Sequence, residues 1–192
     1  MFNLTDMCSQ HFTYRELIHC GETFQRSDIP NLPQQPSSWQ ALSDLAIQLL
    51  DPVVEQFGPL KLSYGFCSPA LSRARQALAK ERNILPAIYP SLDQHVCHEL
   101  NAKGQPVCER GGAACDFIVP GVSTLDVTLW IARHLPFDRI YYYGSSNSVH
   151  VSYNQAAQCS EITVMTPKTA GRGYIPSTMK ADKFLERFGD ES

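Results

Sequence analysis

The sequence predicts an α+β domain, with helices packed on a mainly antiparallel sheet, and three observations carry that prediction. Trp39, Leu42, Leu45, Ala46, Leu49, Leu50 and Val53 recur at helical spacing through WQALSDLAIQLLDPVVEQFG. Short alternating or apolar segments at 60–64, 116–119, 137–143, 148–153 and 161–166 read as strands. No internal repeat and no second domain interrupts the 192 residues, a length with room for one sizeable core.

The elements follow in order. Thr5 is a candidate cap, and HFTYRELIHCGET reads as a short helix or turn-rich opening segment. Three prolines within 28–38 exclude a regular helix there. Ser37 or Ser38 then caps the amphipathic helix, and Gly58 is its stop. The turn Gly65-Phe-Cys-Ser-Pro69 leads into a second helix over 70–81. Residues 84–92 form an irregular, proline-bearing loop that delivers the chain to His95. Residues 96–110 read as an inserted hairpin turning at Asn101-Ala-Lys-Gly104, with Cys97 and Cys108 facing each other. A strand over 116–119 precedes a helix capped by Ser123 or Thr124, and Gly144-Ser-Ser-Asn147 joins the next two strands. The expected domain spans 1–166, with a Gly/Pro-punctuated, weakly helical tail over 167–192.

Composition narrows the function classes. With 43% hydrophobic and 18% charged residues, the chain is expected to be an ordinary soluble globular protein. A net charge of -3 argues against general nucleic-acid binding, and no apolar run is long enough to span a bilayer. The first residues lack a basic region followed by an apolar one, so a cytoplasmic location is expected. The seven cysteines are then expected to be reduced, and their odd number leaves at least one unpaired in a monomer.

The stretch 93–116, DQHVCHELNAKGQPVCERGGAACD, concentrates the chemistry. Asp116 closes a small-residue run and opens an apolar segment, which positions it rather than leaving it in solvent. His150 lies on VHVSY, where alternation sets Val149 and Val151 on one face and His150, Ser148 and Ser152 on the other. His95, Asp116 and His150 are the predicted metal ligands: two imidazoles and one carboxylate suit Zn2+ and leave a position for water. Cys97, His98, Cys108 and Cys115 offer a rival, structural zinc site, though no tight Cys-x-x-Cys knuckle supports it. Cys8, Cys20 and Cys159 read as small buried hydrophobes. Cys67, on a turn expected to face the cleft, could form a Cys–His nucleophile pair, but nothing supplies the usual third group.

These pieces together resemble the zinc D-alanyl-D-alanine carboxypeptidase family, whose fold is shared with lysostaphin-type peptidases and the hedgehog signalling domain. HFTYRELIHCGET is similar to the family's opening helix, and Asn31-Leu-Pro33 to its asparagine–proline bend. LLDPVVEQFGPLKLSYGFCSPAL is similar to a stretch reading roughly "vLdplR…G.pi.itSGyRs..lN". GGAACDF matches the end of "SQHxxGxAxD", and FDRIYYY…VHVSY matches "fdqli.E…WvHvS". The resemblance runs from about Phe12 to Ser152. It implies a metal-dependent hydrolase like the peptidoglycan D,D- or L,D-peptidases, in which zinc-activated water attacks an amide bond of a peptide or other small substrate. Stand-alone proteins of this type without a signal resemble phage or prophage products, released at lysis or carried in a particle.

The departures from the family pattern shape the expectations. The position seven residues before Asp116 is Glu109, whereas His95 lies 116 − 95 = 21 residues before it. An insertion over 96 to about 109 reconciles the two, and a hairpin can be inserted without moving His95. Glu109 and His98 remain rivals as first ligand, and a Glu/Asp/His site would suit a harder metal. The family's cleft arginine is replaced by Cys67, for which Arg73 or Arg75 could substitute. Its catalytic acid is replaced by Tyr143 or Asn147; Glu99 or Glu109 could act as base, and Tyr143 could stabilise an oxyanion. These losses keep two alternatives open: a catalytically impaired pseudoenzyme with a structural or binding role, and a different reaction on a non-peptidoglycan substrate in the same pocket.

Overall fold

The computed structural model describes residues 2–81, 89–169 and 173–189. It is a mixed α+β structure built on a six-stranded, mostly antiparallel open sheet. Part of the expected loop at 84–92 lies outside the described residues; its end, Pro90–Leu92, is a 3-10 turn.

The cap of the first helix, α1 (Tyr14–His19), is Thr13 rather than Thr5. Thr13 Oγ1 accepts from the Glu16 N–H at 3.4 Å, and Glu16 Oε2 accepts from the Thr13 N–H at 2.8 Å, a reciprocal capping box. A single turn, α2 (Glu22–Gln25), follows. The proline-rich segment is irregular only as far as Gln35, since Pro36, Ser37 and Ser38, where no helix was expected, already belong to the next helix; Asn31 is buried in the irregular part. Its amide donates to the Ile18 and Phe66 carbonyls at 2.8 and 3.0 Å, and its Oδ1 accepts from the Ser68 N–H at 2.7 Å. One side chain thus ties the opening helix to the turn before the second long helix.

The amphipathic helix begins two residues earlier than even the first of its expected caps, Ser37, allows. Helix α3 (Pro36–Leu45) has Gln35 as N-cap, without a side-chain cap bond, and Pro36 in the first turn where its missing N–H costs nothing. Ser38 is instead buried, donating its hydroxyl to Glu99 Oε1 at 2.8 Å. That same oxygen accepts from the Gln34 and Gln35 N–H groups at 2.9 and 3.2 Å. A carboxylate some sixty residues further along the chain therefore serves the positive end of α3. The helix widens into a π turn at Ala46–Leu50 and continues as α4 (Asp51–Phe57). Pro52 explains the widening, since it has no N–H to return to the preceding turn. Gly58, at φ 93°, ends the run as expected.

Next come β1 (Lys61–Tyr64) and α5 (Pro69–Glu81). The segment 96–110 then turns where the Asn-Ala-Lys-Gly sequence predicts, with the Gly104 N–H on the Asn101 carbonyl at 2.9 Å. It pairs through a single bridge, Leu100 to Pro106. Cys97 and Cys108 at its base are both buried, and both are free thiols.

Strand β2 (Ala113–Ile118) starts three residues before the expected strand, so Asp116 lies inside a strand rather than at its opening. Gly112 makes this possible: at φ 71° its absent Cβ would stand 2.1 Å from the Tyr153 carbonyl oxygen. Helix α6 (Thr124–His134) is capped by Ser123, whose Oγ accepts from the Leu125 N–H at 3.2 Å. Strands β3 (Arg139–Tyr142), β4 (Val149–Tyr153) and β5 (Glu161–Pro167) match the predicted segments closely. The tail departs from expectation: residues expected to be irregular form a further strand, β6 (Tyr174–Lys180), before α7 (Ala181–Phe188). Phe184 on α7 is fully buried in the common core.

The strand order is β1-β2-β4-β3-β5-β6, and only β3 and β5 pair in parallel. Register divides the sheet into two faces. Cys115, Val151, Ile140, Ile162 and Met179 form one transverse row, and its side joins the core with Leu42, Leu45, Leu49 and Val53 of the long helix. Burying each of those four side chains contributes about 1.5–3 kcal/mol. The adjacent row runs Tyr64, Asp116, His150, Tyr141, Thr163 and Thr178, and it points to the opposite face.

Candidate metal centre

That second row carries two of the three predicted ligands as direct cross-strand neighbours. Asp116 on β2 pairs with His150 on β4, and Asp116 Oδ1 lies 2.8 Å from His150 Nδ1. His95 comes from outside the sheet, on a 3-10 turn at Gln94–Val96. Asp93 caps this turn by accepting from the His95 N–H at 3.2 Å, and the Cys67 N–H holds the His95 carbonyl at 2.9 Å. The turn closes on Cys97 at φ 54°, a left-handed conformation strained for a non-glycine residue, placed where the chain leaves toward the turn at Asn101–Gly104.

His95 Nδ1 lies 2.9 Å from the Gly65 carbonyl oxygen, which can only accept. A proton therefore sits on Nδ1, which leaves Nε2 as the nitrogen that faces the centre and would ligate a metal there once unprotonated. Gly65 can take this position because it has no side chain: a Cβ there would lie 2.0 Å from the Leu17 carbonyl oxygen. His95 Nε2 is 3.3 Å from Asp116 Oδ1 and 3.1 Å from His150 Nδ1. Metal bonds of about 2.0–2.1 Å in a tetrahedron separate ligand atoms by roughly 3.3 Å, so the three atoms fit one ion after shifts of a few tenths of an ångström. This group can hold a metal ion, and it is the one group of three or more such side chains among the described residues.

The electrostatics match the geometry. Burial alone would raise the Asp116 pKa, but the charge of His95 and hydrogen bonds from both histidines hold the carboxyl well below its usual range. For His95, burial pushes the pKa down, yet Asp116 beside it, with a smaller effect of Asp93, raises it above 6.5. Without metal, this favours the charged form of His95 beside the Asp116 carboxylate, whose side chain is partly exposed to the concavity.

Asp116 opens onto a concavity of about 420 Å³, whose walls include Glu22, Tyr64, Arg75, Tyr143 and Tyr174. Tyr143, a candidate oxyanion donor, is half-buried there, its ring 5.2 Å from that of Tyr174. Burial and then the charge of Asp116 push its phenol pKa up, which keeps the hydroxyl a donor. Arg75 reaches the concavity and Arg73 is exposed. The Arg75 guanidinium lies 4.3 Å from the Tyr64 ring centroid and bonds the Tyr64 hydroxyl. In the run Tyr141-Tyr142-Tyr143, Tyr142 enters the core while its neighbours face the site, as strand alternation requires.

Other candidates lie apart from the three ligands. Glu109 is exposed on the limb that returns to β2, its N–H on the Ser91 carbonyl at 2.8 Å. His98 Nε2 accepts from the Gly112 N–H at 3.2 Å and does not join the group. Glu99 caps α3 and is not available as a base. Cys67 is fully buried, and burial pushes its thiol pKa up, which favours the unreactive neutral form. Cys97, His98, Cys108 and Cys115 do not gather into a second metal group among the described residues.

Sequence reading missed Glu22, Tyr64 and Tyr141 at this site, and Arg110 behind it. The period of two could have placed Tyr141 on the His150 face once the strand pairing was known. No helix among the described residues is long and apolar enough to cross a membrane. No known protein family, curated protein or solved structure matches this chain.

Proposed function

We propose that the protein is a zinc-dependent hydrolase of amide bonds, akin to the peptidoglycan D,D- and L,D-peptidases in both fold and reaction. The observation that carries this reading is the convergence of His95 Nε2, Asp116 Oδ1 and His150 Nδ1 beside an open concavity. Two imidazoles and one carboxylate are a catalytic zinc donor set, leaving coordination free for water or substrate. A bound zinc ion supplies a water acidified toward neutral pH and polarises a carbonyl.

The chain's own groups account for the remaining tasks. Tyr143 presents a protonated hydroxyl to charge developing on a substrate carbonyl oxygen. Arg75, fixed against Tyr64, offers a cation to an anionic group of the substrate. Glu22 brings the cavity a carboxylate besides Asp116, within a concavity that small peptides can enter.

A second reading, a metal-binding protein without turnover, is favoured by one observation. Asn147 stands where the family's acid is expected, and its amide donates to the Tyr143 carbonyl at 2.8 Å. Glu22 is itself exposed and paired with Arg26 at 2.6 Å. One experiment separates the readings: elemental analysis of the purified chain, with hydrolysis of cell-wall peptides and simple amides under zinc-replete conditions. The hydrolase reading expects one zinc per chain, turnover, and loss of both in His150→Ala. Stoichiometric zinc with every amide left intact would favour the second reading, and no zinc would refute the centre.

A further inference from the structure

A chain of ring contacts runs through the centre and ends on an arginine at each side. Arg75 covers Tyr64, and Tyr64 meets His95 with centroids 4.5 Å apart and planes at 64°. His95 meets His150 at 4.9 Å and 74°, and His150 meets Tyr141 at 5.0 Å and 78°. At the far end, Arg110 Nη1 donates to the Tyr141 hydroxyl at 3.0 Å and to the Leu92 carbonyl at 3.2 Å. All three are edge-to-face arrangements, the geometry that packed aromatic rings prefer.

The two histidines are oriented differently. His95 has the Gly65 carbonyl on its second nitrogen, the usual device for aiming a metal-binding imidazole. The His150 ring makes its hydrogen bonds, among the described residues, only to Asp116 and His95, the other two members of the centre. Its plane therefore depends on the rings packed against it, and Tyr141 is its neighbour in register on β3. Arg110, on the limb by which the insertion returns to the sheet, holds Tyr141. Its own carbonyl is tied down by the Asn154 amide at 2.7 Å.

We propose that Arg110 and Tyr141 are positioning residues: Arg110, clamping the Tyr141 hydroxyl, fixes the plane of His150 and so sets the metal affinity of the centre. The insertion then has a role at the site without contributing a ligand. This inference rests on the metal-centre reading.

The test measures zinc affinity by chelator competition, and the visible spectrum of the cobalt-loaded full chain, for Arg110→Met, Arg110→Lys, Tyr141→Phe and the Arg110→Met/Tyr141→Phe pair. Arg110→Met and Tyr141→Phe should each weaken zinc binding about tenfold and shift the cobalt bands, the lower end of the range for outer partners of metal ligands. The double variant should be no weaker than either single one, because both remove the same contact. Arg110→Lys should recover part of the loss. Affinities within about twofold of wild type with unchanged cobalt bands, or losses that multiply in the double variant, would overturn the proposal. If Arg110→Met does not fold, Tyr141→Phe decides alone, since it removes a single oxygen. Wild-type chain that binds no zinc refutes the centre and this inference with it; zinc binding indifferent to the variants refutes the inference only.

Discussion

Replacing Asp116 by asparagine should reverse the way stability responds to pH between about 5.5 and 8, in the presence of a chelator. In the wild-type chain His95 gains a proton-stabilising partner on folding, so its pKa is raised above 6.5. A raised histidine stabilises fully below its unfolded pKa, and that contribution is lost as pH rises through the folded pKa. The depressed carboxyl of Asp116 stabilises above its unfolded value of 3.8 and loses that contribution as pH falls through the folded one. Both contributions coexist between 3.8 and 6.5, so the metal-free protein should be more stable at pH 5.5 than at pH 8. In Asp116→Asn the side-chain amide carries no charge, which leaves burial, joined by the charge of Arg75, opposed only by the smaller effect of Asp93, so the His95 pKa should fall below 6.5. Unfolding then takes up a proton, and the variant should lose stability on acidification. Each unit by which the His95 pKa is displaced is worth about 1.4 kcal/mol, so the two profiles diverge by that amount per unit of combined displacement. Urea midpoints at the two pH values, for both chains with a chelator present, supply the measurement. Parallel profiles would refute the pairing of His95 with Asp116 as the source of the pH dependence.

Three further outcomes are expected. Zinc at a hundredfold excess over its Kd should stabilise the chain by about 2.7 kcal/mol, and calorimetry should show no such gain for His150→Ala. Glu99→Ala should cost roughly 3 kcal/mol in urea melts, because it strands the buried Ser38 hydroxyl and removes charge from the start of α3, with Glu99→Gln recovering part. Phe184→Ala should cost about 3–5 kcal/mol, and a change within about 0.5 kcal/mol would show that α7 is not integral to the core.

Local patterns make much of the fold legible. The 3.6-residue spacing from Trp39 to Val53 marks the long helix, and the alternation in VHVSY sends Val149 and Val151 to the core and His150 to the other face. Strand β6 is hidden from such patterns because its side chains are nearly all exposed and Pro176 sits in its middle, so it carries no hydrophobic period. It is a strand because it pairs with β5 along its whole length. The cap of α3 escapes sequence reading because its carboxylate comes from Glu99, some sixty residues along the chain.

The same division holds at the centre. His95, Asp116 and His150 are recognisable by residue type and by the strand pattern around two of them. That much the sequence determined by itself. Whether they meet was decided by register and by the path of the chain between them: Asp116 opposite His150 across two strands, and His95 brought to them by a turn held at Gly65 and Cys67. The same register set Tyr141 beside His150 and brought Arg110 within reach of its hydroxyl. Periodicity is a property of neighbouring residues along the chain; convergence depends on hydrogen-bonded pairing between distant ones, and only the tertiary structure specifies it.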